Sequence, residues 1–129
     1  MNIACGTDII EISRIKDSFI GETGEKFKQR VFTNKEINYC ESKNEQKYQH
    51  YAARFAAKEA IFKAISQKLD SKYDIEWKQI EVQNKEDGKP FVVINHSVSD
   101  YIDSIDISLS HCKEYATANA VVVFGKVSN

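Results

Sequence analysis

Residues 45–69 hold the feature that most limits what this chain can fold into. Their middle, the run YAARFAAKEAIFKAI from Tyr51 to Ile65, is rich in Ala and free of Gly and Pro. Such a run favours one long helix, because Ala loses no side-chain entropy there and nothing interrupts the backbone hydrogen bonds. Many Ala on one helix also let a neighbouring backbone come close.

The other elements can be placed around that helix. Residues 2–7 read as a short strand ending at Asp8. Ile9, Ile12, Ile15 and Phe19 then recur at helical spacing, so an amphipathic helix is expected to about Gly21. A short helix is expected over 25–30. Thr33-Asn-Lys-Glu36 is a capping-box pattern that starts a further helix, running to about Glu41. Residues 75–84 read as a strand, Glu86-Asp-Gly-Lys89 as a turn, and Pro90 as the opening of the next strand. A short helix is expected over 96–103. Ile105, Ile107 and Leu109 share one strand face, Lys113-Glu114 turns, and YATANAVVVF forms a final buried strand. The order predicts an α+β fold, with a largely antiparallel sheet packed against a long central helix. With no repeat or linker, residues 1–129 read as one domain.

A formal net charge of -1 argues against a nucleic-acid partner, which would select a basic excess. No stretch approaches the roughly 20 apolar residues of a membrane span, and no signal peptide is visible. Cys5, Cys40 and Cys112 are scattered and lack C-x-x-C spacing. They read as reduced thiols of a cytosolic protein, with Cys5 expected in the core.

Two carboxylates stand out. Asp8-Ile-Ile-Glu11 is itself a capping-box pattern, so Asp8 is either a helix cap or a hard-metal ligand at a strand end. Glu59 shares a helix face with Ala52, Phe55 and Ala56. A carboxylate in such surroundings needs a partner. Lys63 lies one turn on, so Glu59 and Lys63 form either a plain ion pair or a metal-and-phosphate site. Arg54 and Lys58 add positive charge, and the helix reads as built for a polyanion and its metal. His111 ends the face carrying Ile105, Ile107 and Leu109, while Ser108 and Ser110 point the other way. No Ser-His-acid arrangement, Walker loop or G-x-G-x-x-G is present, and His50 and His96 lack metal spacing.

Three blocks are distinctive together: GTDIIEISRI (6–15), RFAAKEAIFKA (54–64) and ISLSHCKEYATANAVV (107–122), with DGKPFV (87–92) between the last two. Their order and spacing resemble the holo-[acyl-carrier-protein] synthases, the small group of the 4′-phosphopantetheinyl transferases, over nearly the whole chain. The resemblance implies a cytosolic enzyme of fatty-acid synthesis. It would transfer 4′-phosphopantetheine from coenzyme A to a serine of apo acyl carrier protein, releasing adenosine 3′,5′-bisphosphate. It also implies magnesium as cofactor, and a homotrimer with active sites between subunits.

Residue by residue, Asp8 matches the first metal ligand, in G-x-D. Glu59 matches the second, in R-F-x-x-K-E-A, and Lys63 the lysine near the phosphates; Glu59 and Lys63 are the implied catalytic pair. Arg54, Lys89, Pro90, Ser110 and His111 match positions lining the coenzyme A site. Arg14 matches the arginine that meets the acidic carrier. Ile65-Ser66-Gln67-Lys68 departs from the usual Gly-Thr-Gly-like turn, and Phe62 is bulkier than the residue usual there. Two other readings compete. One is a non-enzymatic binding module, with Asp8 a cap and Glu59–Lys63 an ion pair. The other is a transferase for peptide-synthetase carriers, a group usually built as a tandem repeat of about twice this length.

Overall fold

A computed structural model describes residues 2–125. Strand β1 (Asn2–Glu11) leads through helices α1 (Ile12–Ser18), α2 (Gly21–Val31) and α3 (Asn34–Glu41) into the long helix α4 (Lys47–Ile65). Strands β2 (Ile80–Asn84) and β3 (Pro90–Ile94) form a hairpin, and β4 (Ile102–His111) and β5 (Tyr115–Phe124) form another. The main sheet has the order β1-β5-β4, all antiparallel, and β2-β3 is a separate two-stranded sheet. The α+β fold built around a long helix is therefore borne out.

Small residues let α4 lie close to the sheet. Ala56, Ala57, Ala60 and Ala64 are buried against Ala118, Ala120 and Val122 of β5. Gly6 marks the closest approach. A Cβ there would stand 1.9 Å from the carbonyl oxygen of Ala60, so no other residue fits without parting strand from helix. A second cluster joins Ile12, Ile15, Val31, Phe32, Cys40 and Tyr51, with Phe19 meeting Tyr51 edge-on.

The capping box is present: Glu36 N donates to Thr33 Oγ1 at 3.2 Å, and Thr33 N donates to Glu36 Oε1 at 2.9 Å. Gly88 has the positive φ expected of its turn. The start of the chain differs from expectation. β1 does not stop before Asp8 but pairs with β5 without a break to Glu11 opposite Tyr115. That ladder satisfies the backbone groups an early helix would have used. Asp8 therefore caps nothing, and α1 begins only at Ile12 with no side-chain cap. Alternation also turns Ile9 and Cys5 outward; Ile9 is 63% exposed, and Cys5 is not a core residue. Strand 75–84 is shortened to β2 and preceded by a 3-10 turn over Trp77–Gln79. Ser66–Lys68 forms another 3-10 turn, which ends α4 without glycine. Among the described residues, no helix is long and apolar enough to cross a membrane.

Candidate active site

The close approach at Gly6 sets Asp8, two residues further along β1, beside the Glu59 face of α4. Lys63 reaches across: its Nζ donates to the Thr7 carbonyl at 3.0 Å and meets Asp8 Oδ1 at 3.3 Å. The i, i+4 partner inferred from the sequence is thus not the one used. Lys63 pairs with Asp8, and Glu59 is left without a cation of its own among the described residues. Glu59 is half-buried. Burial first, and then the Asp8 carboxylate, make it hold its proton more tightly than an ordinary carboxyl, while Lys63 pulls the other way. Two carboxylates that repel each other across a partly desolvated gap, with one lysine beside them, suit a hard divalent cation. Among the described residues, no group of three or more His, Cys, Asp or Glu could hold a metal. A cation between Asp8 and Glu59 would therefore draw its other ligands from water and substrate oxygens, as magnesium does.

A second polar group lies about 140° around α4 from Glu59, since Arg54 precedes it by five residues. Arg54 is only 2% exposed; its guanidinium lies over Tyr39 at 3.9 Å and donates to Asn84, whose amide donates to the Gly88 carbonyl. Its Nε has no partner. Lys89 lies next in this turn, 3.9 Å from Asp106, and Pro90 stands opposite Asn84 in the hairpin. His111 stacks edge-on with His50 at 5.6 Å, and His50 with Tyr39 at 5.6 Å. Lys43 lies over the same Tyr39 ring. Ser110 is exposed on the sheet face opposite His111. Burial, His111, Lys43 and Arg54 together lower the His50 pKa from 6.5 to about 4. Arg54, Lys43 and Lys89 thus gather positive charge on this side of α4, with Asp106 beside Lys89. Arg14 is exposed on α1 while Ile12 and Ile15 turn inward, as the helical spacing predicts.

The sequence profile of the 4′-phosphopantetheinyl transferase superfamily matches residues 4–120. This chain belongs to that superfamily. Within it, the chain groups with the holo-[acyl-carrier-protein] synthases and is a transferase. It is 45% identical to the holo-[acyl-carrier-protein] synthase of Ruminiclostridium cellulolyticum, over 97% of this chain and 95% of that one. It is 32% identical to the Bacillus anthracis holo-(acyl-carrier-protein) synthase solved in complex with CoA (3′,5′-ADP), covering 92% of this chain and 94% of that one at TM-score 0.75. The fold also matches the Chronobacterium ammoniagenes ACPS-CoA complex at TM-score 0.81 and 23% identity, covering 98% of this chain and 100% of that one.

For this transferase the structure corrects one further expectation. Lys58 does not join a polyanion surface. It is fully buried, 2.8 Å from the equally buried Glu36, and it donates to the Trp77 carbonyl at 3.0 Å and to the Ile80 carbonyl. Glu36 in turn accepts from Val82 N at 2.9 Å. Burial lowers the proton affinity of Lys58, and Glu36 opposes that. Lys43 and His50 were missed from sequence. His50 was legible in principle, because it lies four residues before Arg54 on one face of α4.

Proposed function

We propose that this transferase moves 4′-phosphopantetheine from coenzyme A to a serine of apo acyl carrier protein and releases adenosine 3′,5′-bisphosphate. The observation that carries the proposal is the Asp8–Glu59–Lys63 group: an Asp8 that caps no helix and pairs with Lys63, beside a half-buried Glu59 with no cation of its own among the described residues. The binding-module reading loses both supports, since Asp8 caps no helix and Glu59 is not paired with Lys63.

In the reaction, the carrier serine Oγ forms a bond to the β-phosphorus. The bond from that phosphorus to the bridging oxygen breaks, and the serine proton leaves. Magnesium held by Asp8 and Glu59 would neutralise charge on the pyrophosphate. Glu59 takes the serine proton directly or through water, a role its raised proton affinity suits. Lys63 steadies the phosphate oxygens. The Arg54 and Lys43 cations hold the ribose phosphate, with the His50 and His111 rings, Lys89, Pro90 and Ser110 beside the nucleotide. Arg14 meets the acidic carrier.

The two polar groups look out from different sides of α4, so one chain does not close them around one ligand. A homotrimer would bring the Arg54 group of one subunit to the Asp8 group of the next. The uncovered sheet face, with Ile3, Ile9, Tyr115 and Val121 exposed at 58%, 63%, 41% and 47%, supports such an assembly. Fatty-acid synthesis in the cytoplasm is the setting that fits the carrier substrate.

The test is to mix the protein with coenzyme A, magnesium and apo carrier and weigh the carrier by mass spectrometry. Addition of phosphopantetheine, dependent on the metal, is expected. An unchanged carrier mass with folded protein would overturn the proposal.

A further inference from the structure

Between α4 and β2 the chain runs as a strap over 69–79. It walls one side of a groove of about 710 Å³ that Glu59 also lines, with Arg30, Lys72 and Lys78 beside Phe62, Ile75 and Trp77. The two halves of the strap are held differently. Over 75–79, Ile75 is buried in the core and Lys58 ties down the Trp77 carbonyl. Gln79 accepts from Glu76 N at 2.8 Å and donates to the Asn95 carbonyl at 3.1 Å. Residues 70–74 are exposed throughout. Their turn closes on Ser71, whose hydroxyl accepts from Tyr73 N and whose carbonyl accepts from Asp74 N. Among the described residues, one hydrogen bond joins 70–74 to the rest of the molecule. It runs between His96 Nε2 and the Asp74 carbonyl at 3.0 Å. The Asp74 carboxylate lies 3.7 Å from the same nitrogen.

The His96 ring serves two tasks at once. Its Nδ1 accepts from Val98 N at 2.9 Å and so caps the 3-10 turn Ser97–Tyr101. A backbone N–H can only donate, so Nδ1 carries no proton. Nε2 therefore carries it and donates to the Asp74 carbonyl. Val98 belongs to the core, so one end of the ring is fixed while the other reaches out to the strap. We propose that His96 is a positioning residue for the transfer: it latches residues 70–74 and keeps that part of the groove wall in one place beside Glu59. The inference rests on the function proposed above. With the latch made, Lys72 and Tyr73 are ordered before substrate arrives, and binding does not have to order them. Asp8, Glu59 and Lys63 stand on β1 and α4, which the latch does not touch. Its loss therefore weakens binding and spares the chemical step.

Two variants split the tasks of the ring. Asn carries an acceptor where Nδ1 stands but is too short for the strap, so His96→Asn keeps the cap and loses the latch. Gln carries an N–H donor where Nε2 stands but no acceptor at the nearer position, so His96→Gln keeps the latch and loses the cap. His96→Asn should raise the KM of coenzyme A about fivefold, the equivalent of one net hydrogen bond. Its kcat and melting temperature should stay near wild type. His96→Gln should melt lower and keep the wild-type KM. Hydrogen exchange of the Tyr73 and Asp74 amides reads the latch with no substrate present. It should be faster in His96→Asn and near wild type in His96→Gln. A KM that rises in both variants, in neither, or only in His96→Gln would overturn the proposal and leave His96 a cap alone. So would equal exchange of those amides in wild type and His96→Asn. Exchange needs no transfer, so failure of the latch is distinct from failure of the proposed function, which the wild-type carrier mass tests.

Discussion

Lys58 and Glu59 are neighbours in sequence with opposite fates. Lys58 points into the core and is saturated by Glu36 and two carbonyls. Glu59 sits half-buried beside another carboxylate, and no cation is paired with it among the described residues. Both are charged residues on the same turn of α4, so charge alone does not mark function. What separates them is satisfaction. A buried charge with every bond made holds a fold together, and one left short of partners is the candidate for binding a ligand.

That contrast breaks down most visibly if Lys58 is removed. Lys58→Met leaves Glu36 buried and unpaired, which costs about 3–5 kcal/mol of stability. Adding Glu36→Gln should recover part of it, since a neutral amide needs no cation but can accept from only one of the Thr33 and Val82 N–H groups that the carboxylate serves. Chemical denaturation of the single and double variants checks this, and transfer by the folded fraction should persist. If Lys58→Met instead left stability intact and abolished transfer, the two residues would have exchanged roles.

Gly6→Ala tests how the open centre is assembled. Its Cβ would strike the Ala60 carbonyl, at a cost of about 1–3 kcal/mol for overpacking. Because the shift would part Asp8 from Glu59, transfer should fall further than stability does. A thermal melt beside an activity assay separates the two effects.

On the periphery, Arg14→Glu should raise the carrier's apparent KM about tenfold, and the difference should shrink in high salt. Titration of the carrier at two ionic strengths is the check.

The smallest effect concerns His50. Its pKa lies at about 4 in the folded chain against 6.5 ordinarily, so between those values the unfolded chain binds more protons. Stability should therefore fall as pH drops from 6.5 toward 4. His50→Gln should flatten that slope, and adenosine 3′,5′-bisphosphate should offset it by supplying the missing negative charge. Melting temperature against pH, with and without the ligand, measures both.

Much of this was legible in the sequence, and the failures share a cause. The Ala-rich helix, the Thr33–Glu36 box and the Gly88 turn are local, so local patterns reveal them. The Asp8 region misleads because Ile9 and Ile12 fit a helical period, whereas the ladder to β5 lies more than 100 residues away and wins. Cys5 follows the same strand outward. Lys58 misleads because its partner Glu36 is 22 positions back and already looks spent in a capping box; Oε1 serves both tasks, and Oε2 accepts from Val82 N. The three family blocks placed Asp8, Glu59 and Lys63 together where periodicity alone left each ambiguous, and the structure supplies the contact that joins Lys63 to Asp8.

Under the proposed function, Glu59 is kept unsatisfied for chemistry and not for stability. The most direct test measures carrier phosphopantetheinylation and thermal unfolding side by side for Glu59→Gln. Loss of about 3 kcal/mol or more of transition-state stabilisation, seen as at least a hundredfold slower transfer, is expected with a melting temperature unchanged or higher. Near-normal transfer, or a loss of transfer matched by unfolding, would contradict it.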